Sequence, residues 1–125
     1  MNEAIRAIFE KRKAKVEHVP LPPEVGEWYV REMTAAEYVE FNREYDEQVR
    51  RGRHLAWFAS FAACDSAGVR MFEATDTDLQ WIVAHVPGWV LGQVWSIGGR
   101  LNAITKEGEE ALEKNSKTAT PESSS

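Results

Sequence analysis

The sequence predicts a small α+β protein: one compact, mainly helical domain with a β-hairpin near its N-terminus and a disordered C-terminal tail. Three observations carry this. Apolar residues recur at three- and four-residue steps in several separate segments, as one face of a helix requires. One stretch, "KVEHVPLPPEVGEWYVREM", breaks that rhythm with Pro20, Pro22 and Pro23, flanked by alternating β-branched and aromatic residues. The last residues, "NSKTATPESSS", hold too little apolar surface to offset the entropy of ordering them. With 125 residues, 43% of them hydrophobic, the chain suits a single domain with a modest core.

The elements follow in order. "NEAIRAIFEKRKAK" sets Ala4, Ile5, Ile8 and Phe9 on one stripe and ends in a basic run, Lys11 to Lys15, which complements a helix dipole at its C-terminus. It predicts an amphipathic helix over residues 1–14 that packs on the domain or waits for a partner. Residues 15–105 form the α-rich domain, with its hairpin at about 15–33: Lys15–Pro20 against Glu27–Met33, joined by a loop that ends at Gly26. Thr34 and Glu37 then have the spacing of a capping box. Tyr38, Phe41, Tyr45 and Val49 mark the buried stripe of the helix it starts. Gly52 weakens that helix by about 1 kcal/mol relative to alanine, and the cluster "RRGR", Arg50 to Arg53, reads as a solvated helix end. "HLAWFASFAAC" is apolar on nearly every side, so it predicts a helix central to the core, with His54 at or beside its start and Cys64 as a small core residue.

"CDSAGVRMFEATDTDL" gathers Asp65, Asp76 and Asp78 around Gly68, with Glu73 among them. As a calcium loop counted from Asp65 it fails, because Ala67 and Val69 stand where oxygen ligands are needed and Gly68 falls two positions early. The residues fit a turn and a helix start instead. Asp65 and Ser66 bond back to the backbone, Gly68 takes a positive φ, and Thr75 caps a helix whose first turn holds Asp76 and Asp78. Asp78 reaches back in the manner of a capping box. Leu79, Ile82 and Val83 make the buried face, with Trp81 on its flank. A last helix follows Pro87, with Val90, Val94, Ile97 and Leu101 as its stripe and Leu91, Trp95 and Ile104 widening it. Gly92, Gly98 and Gly99 let another backbone come close, either in local packing or as a docking face for another helix. Residues 106–125 read as a turn or two of helix in "EGEEALEK" and then the disordered tail.

Several function classes lose ground on these residues. A net charge of −5 argues against general nucleic-acid binding. No apolar run approaches the roughly 18 residues of a membrane span. The N-terminus lacks the order of a signal peptide, which points to the cytoplasm of the producing cell. Cys64 is the single cysteine, so neither an internal disulfide nor a cysteine-based zinc site is expected. His18, His54 and His85 share no ligand spacing. Ser60, Ser66 and Ser96 lack a nucleophile elbow, and "IGGR" lacks the strand and lysine of a phosphate loop. No catalytic residue, metal ligand or cofactor is expected, and the role is read as non-enzymatic.

"VPLPPEVGEWYVREMTAAEYVEF", then "CDSAGVRMFEATDTDL", then "GRLNAITKEGEEALEKNS" together resemble the tail assembly chaperones of long-tailed, siphovirus-like bacteriophages. The counterparts are Trp28 to Thr34, Asp65 to Phe72, Thr75 to Leu79, Leu101 with Asn102, and Glu113 to Ser116. "PPEVGEW" departs from the family pattern, which has a tryptophan–glycine pair ahead of the strand. The resemblance implies a non-enzymatic chaperone that binds the tape measure protein and the major tail tube protein in the host cytoplasm, associates with itself, and is absent from the finished virion. It also implies a longer product made by a minus-one ribosomal frameshift, for which Glu113-Lys114-Asn115 is compatible with a slippery heptamer. Trp57, Phe58, Phe61, Trp89, Trp95 and Leu101 are the candidate protein-binding positions, as core or docking residues that sequence does not separate. The alternative is a structural tail or head–tail completion adaptor that stays in the particle.

Overall fold

The structure, a computed structural model, describes residues 1–104. The expected tail over residues 106–125, and with it Glu113-Lys114-Asn115, lies outside the described residues. The chain runs α1 (Glu3–Lys11), β1 (Val16–Val19), a 3₁₀ turn (Pro23–Val25), β2 (Trp28–Arg31), α2 (Ala35–Arg50), α3 (His54–Ala62), β3 (Ala63–Cys64), α4 (Asp76–His85) and α5 (Gly88–Leu101). It is mainly helical with a small antiparallel sheet, the fold class the sequence predicts.

The hairpin forms as expected: Val16 stands opposite Arg31 and Val19 opposite Trp28, with the three prolines in and beside the connecting turn. Alternation decides its faces, since Val19, Trp28 and Val30 are buried while their neighbours are partly exposed. The sheet has a third strand that the sequence reading ran into a helix. At Ala63 the backbone leaves the helix for an extended conformation, and Ala63 and Cys64 pair with Val30 and Tyr29. An apolar Ala-Ala-Cys run is compatible with either state. The free edge of β2 decides it, because its amide groups need partners once buried.

α3 is the centre, packed by α2, α4 and α5. Trp57, Phe58 and Phe61 are buried in it, and the Trp57 indole N–H donates to the Phe41 carbonyl at 3.0 Å. Phe41 meets Phe58 and Phe61 edge-to-face, at 5.7 and 6.1 Å between centroids. α5 crosses α3 at Gly98, where a Cβ atom would lie 2.8 Å from the Phe58 ring. Gly98 therefore serves packing within the domain.

Two helix faces differ from the expectation. On α2 the buried positions are Phe41 and Gln48, while Tyr38 and Val49 are exposed. The helix is turned so that Gln48 meets Arg53, and a polar bond outcompetes the periodic apolar choice. On α4, Leu79 and Ile82 are buried but Val83 is exposed, because α4 packs on the domain through a narrow contact with α3.

Asn102 joins the two ends of the domain. Its Nδ2 donates to the Arg31 carbonyl at 3.1 Å and the Gly98 carbonyl at 2.9 Å, and its Oδ1 accepts from the Met33 amide at 2.7 Å. The residue thereby closes α5 onto the strand-to-helix connection after β2. Asn102→Ala is expected to cost about 1–3 kcal/mol, the worth of the lost bonds and of two part-buried backbone groups left unpaired. Urea denaturation measures it, and a loss under about 0.5 kcal/mol would contradict the role.

Candidate functional site

Of the carboxylates that raised the metal question, Asp65 and Asp78 are occupied by local structure and Asp76 by Arg53. Asp65 Oδ1 accepts from the amides of Ala67 and Val69, at 2.9 and 3.0 Å, and Gly68 sits at φ +84° in the turn this closes. Replacing Gly68 by alanine forces a side chain into that conformation and sets its Cβ 3.3 Å from Val16 Cγ2. The expected loss is about 1–2 kcal/mol, read as a lower thermal midpoint. An unchanged midpoint would mean the turn relaxes.

Thr75 caps α4 by accepting from the Asp78 amide at 3.3 Å. Asp78 Oδ2 accepts from the Glu73 amide at 2.7 Å, two residues before the cap, so the reciprocal bond of a capping box is displaced. Asp76 Oδ1 accepts from Arg53 Nη2 at 2.6 Å, and Arg53 Nε donates to Gln48 Oε1 at 2.6 Å. Arg53 is thus buried and paired, where the sequence reading left it at a solvated helix end. Its hydrogen bond and charge hold Asp76 below the usual carboxylate range. Among the described residues no three His, Cys, Asp or Glu side chains converge as a metal site would require. Cys64 is buried, and burial pushes its thiol up to about 11, far from a nucleophile's range.

A second network ties the sheet to the helices. Glu37 completes the predicted capping box with Thr34 and pairs with Arg31 and, at 3.5 Å, with Arg70. Arg70 also donates to the Ser60 carbonyl at 2.6 Å, satisfying an acceptor in the last turn of α3, and lies 5.1 Å above the Phe61 ring. Sequence reasoning passed over Arg70, whose partners are 10 and 33 residues away.

The six candidate protein-binding residues separate. Trp57, Phe58 and Phe61 are buried in the core and present no surface. Trp95 is half-buried, stacked on Tyr45 and edge-on to Phe58, and Leu101 is half-buried against the same core. Trp89 is 50% exposed.

Apolar side chains line two further places on the surface. One is α1, which Asn2 caps and which buries no residue, leaving Ile5, Ile8 and Phe9 open. The other is a groove of about 530 Å³ between the hairpin turn, the segment before α4, and the α4–α5 junction. Val25, Trp28, Phe72, Trp81, Val86 and Val90 line it. Four rings form a row along it, Trp28 to Phe72 at 6.0 Å, Phe72 to Trp81 at 6.2 Å and Trp81 to His85 at 4.7 Å. Sequence placed Trp81 on a flank and gave no reason to connect it with Trp28, which only the fold brings near.

No protein-family model matches the chain, and no curated protein matches it either. Among solved structures, the tail assembly chaperone of bacteriophage HK97 superposes on 81% of this chain and 95% of its own, with a TM-score of 0.54 and 12% identity. The two proteins share a fold.

Proposed function

We propose that this chain is a tail assembly chaperone of a long-tailed bacteriophage, binding the tape measure protein and helping to recruit tail tube subunits, without catalysis. The observation that carries the reading is the fold shared over nearly the whole length of the HK97 chaperone. A fold hosts many functions. The reading gains from the segments that resemble this family in sequence, and in the same succession along the chain, between Val16 and Ser116. Exposed apolar side chains on α1, in the groove and at Trp89 suit a protein that covers apolar helical surface elsewhere.

Co-expression tests it. The chain is expected to keep the long helical tape measure protein encoded in the same genome soluble, to co-purify with it, and to be missing from purified virions. Trp89→Asp should weaken the co-purification while the domain stays folded. A tape measure protein that stays insoluble with the chain present, or the chain as a stoichiometric virion component, would overturn the reading; the second result would favour the adaptor.

A further inference from the structure

We propose that the cleft between α2 and the starts of α3 and α4 binds a single carboxylate, of the kind that an aspartate or glutamate side chain of a protein partner presents. The cleft holds about 410 Å³. The buried part of its lining is Gln48, Arg53 and Trp57, which are 3%, 9% and 3% exposed, and Arg43 and Arg51 are its exposed cations. Two arginines of the "RRGR" cluster thus line one concave site.

Gln48 is the residue that points to a ligand. Arg53 Nε donates to its Oε1 at 2.6 Å, which fixes the orientation of the amide, since the NH2 end offers a guanidinium N–H no acceptor. The N–H bonds of Nε2 then have no acceptor among the described residues, yet the atom is not sealed in the interior. Gln48 lines this cleft, so a buried side chain opens its donors into it. Arg53 gives Nε to Gln48 and Nη2 to Asp76, and its Nη1 is unpaired in the same way.

Charge selects the class of ligand. Among the described residues Arg43 and Arg51 make no ion pair, whereas Glu47 is paired with Arg50 and Asp76 with Arg53. Of the lining acids that leaves Glu44, so the unpaired groups are two cations and one anion. α3 starts at Arg53 without a side-chain cap, and its first amides add partial positive charge. The site therefore favours an anion. Glu44, Glu47 and Asp76 oppose more than one negative charge, which sets phosphate groups and nucleic acid at a disadvantage. A carboxylate fits, with one oxygen accepting from Gln48 Nε2 and the other from an arginine. Trp57, Ala74 and Leu79 give its methylene groups an apolar wall.

The test is independent of the chaperone reading. The full chain, labelled with nitrogen-15, is titrated with a blocked Ala-Glu-Ala peptide that carries one carboxylate. The side-chain NMR signals of Gln48 Nε2 and Arg53 Nε are expected to shift together and saturate, with half-saturation on the order of 1 mM. The same peptide with glutamine is expected to bind about ten-fold more weakly, and one with phosphoserine more weakly than the glutamate peptide. Gln48→Glu keeps the acceptor for Arg53 and turns the donor into a carboxylate. It is expected to weaken binding about ten-fold, read at Arg53 Nε. Arg51→Gln, at an exposed position, keeps the test open if Gln48→Glu fails to fold, and is expected to weaken binding about three-fold. No saturable shift up to about 20 mM peptide, a glutamine peptide that binds as well, a phosphoserine peptide that binds tighter, or a folded variant that binds like wild type would overturn the proposal.

Discussion

Replacing Phe58 by alanine is expected to lower the free energy of unfolding by about 3–5 kcal/mol, the usual cost of truncating a fully buried aromatic ring. Phe58 has no exposed surface. It meets Phe41 of α2 and Trp95 of α5, at 5.7 and 5.1 Å, and lies against Gly98. Collapse of the site is hindered from each side, since Gly98 has no side chain to move in and Phe41 is held by its own contacts with Phe61 and Tyr45. Against the roughly 5–15 kcal/mol of a typical domain, this is a large fraction. Urea denaturation with an unchanged slope would report it. A loss below about 1.5 kcal/mol would mean that the cavity refills and that α3 is not the fixed centre described above.

Glu37→Gln is expected to cost about 2–3 kcal/mol, somewhat under the roughly 3–5 of breaking a fully buried pair, because the Arg31 and Glu37 side chains are 11% and 18% exposed. The amide can still accept from Thr34, so the cap survives in part, but two guanidinium groups lose their counter-charge. The pH dependence identifies the cause. Burial pushes the Glu37 carboxyl up, yet the bond from Arg31, the Thr34 amide and the Arg31 charge together outweigh it and leave the group below its ordinary value of 4.5. A depressed folded value means that the ionised form is the one folding favours. Its contribution is fully present above 4.5, and is lost as pH falls through the folded value. The wild type should therefore lose more stability between about pH 5 and about pH 3 than Glu37→Gln does. Some acid sensitivity should persist in the variant, since Arg53 holds Asp76 low in the same way. Equal acid sensitivity in the two proteins would remove Glu37 from the account.

Local chemistry was legible wherever a residue's partner lies within a few positions. Thr34 with Glu37, Thr75 at the head of α4, Asp65 with Gly68, and the prolines of the hairpin turn all stand where the sequence predicts. The stripe Val90 and Val94 was legible for the same reason, since periodicity is a local property. The exposed faces were less so. Tyr38, Val49 and Val83 satisfy a helical period yet face solvent, because period says which residues share a face and not how wide a neighbour covers it.

What the sequence determined by itself is the helices and the hairpin, the turns between them, and the use of Asp65 and Asp78 in backbone geometry, since these rest on bonds between near neighbours. What only the tertiary structure decided is which apolar residues are surface. Trp57, Phe58 and Phe61 went inside while Trp81, Trp89 and the stripe of α1 stayed out. The third strand, the Arg53–Asp76 and Arg70–Ser60 links and the aromatic row of the groove belong with these. The physical reason is the same for each: burial and long-range hydrogen bonding depend on what another element brings within a few ångströms, and no local pattern carries that.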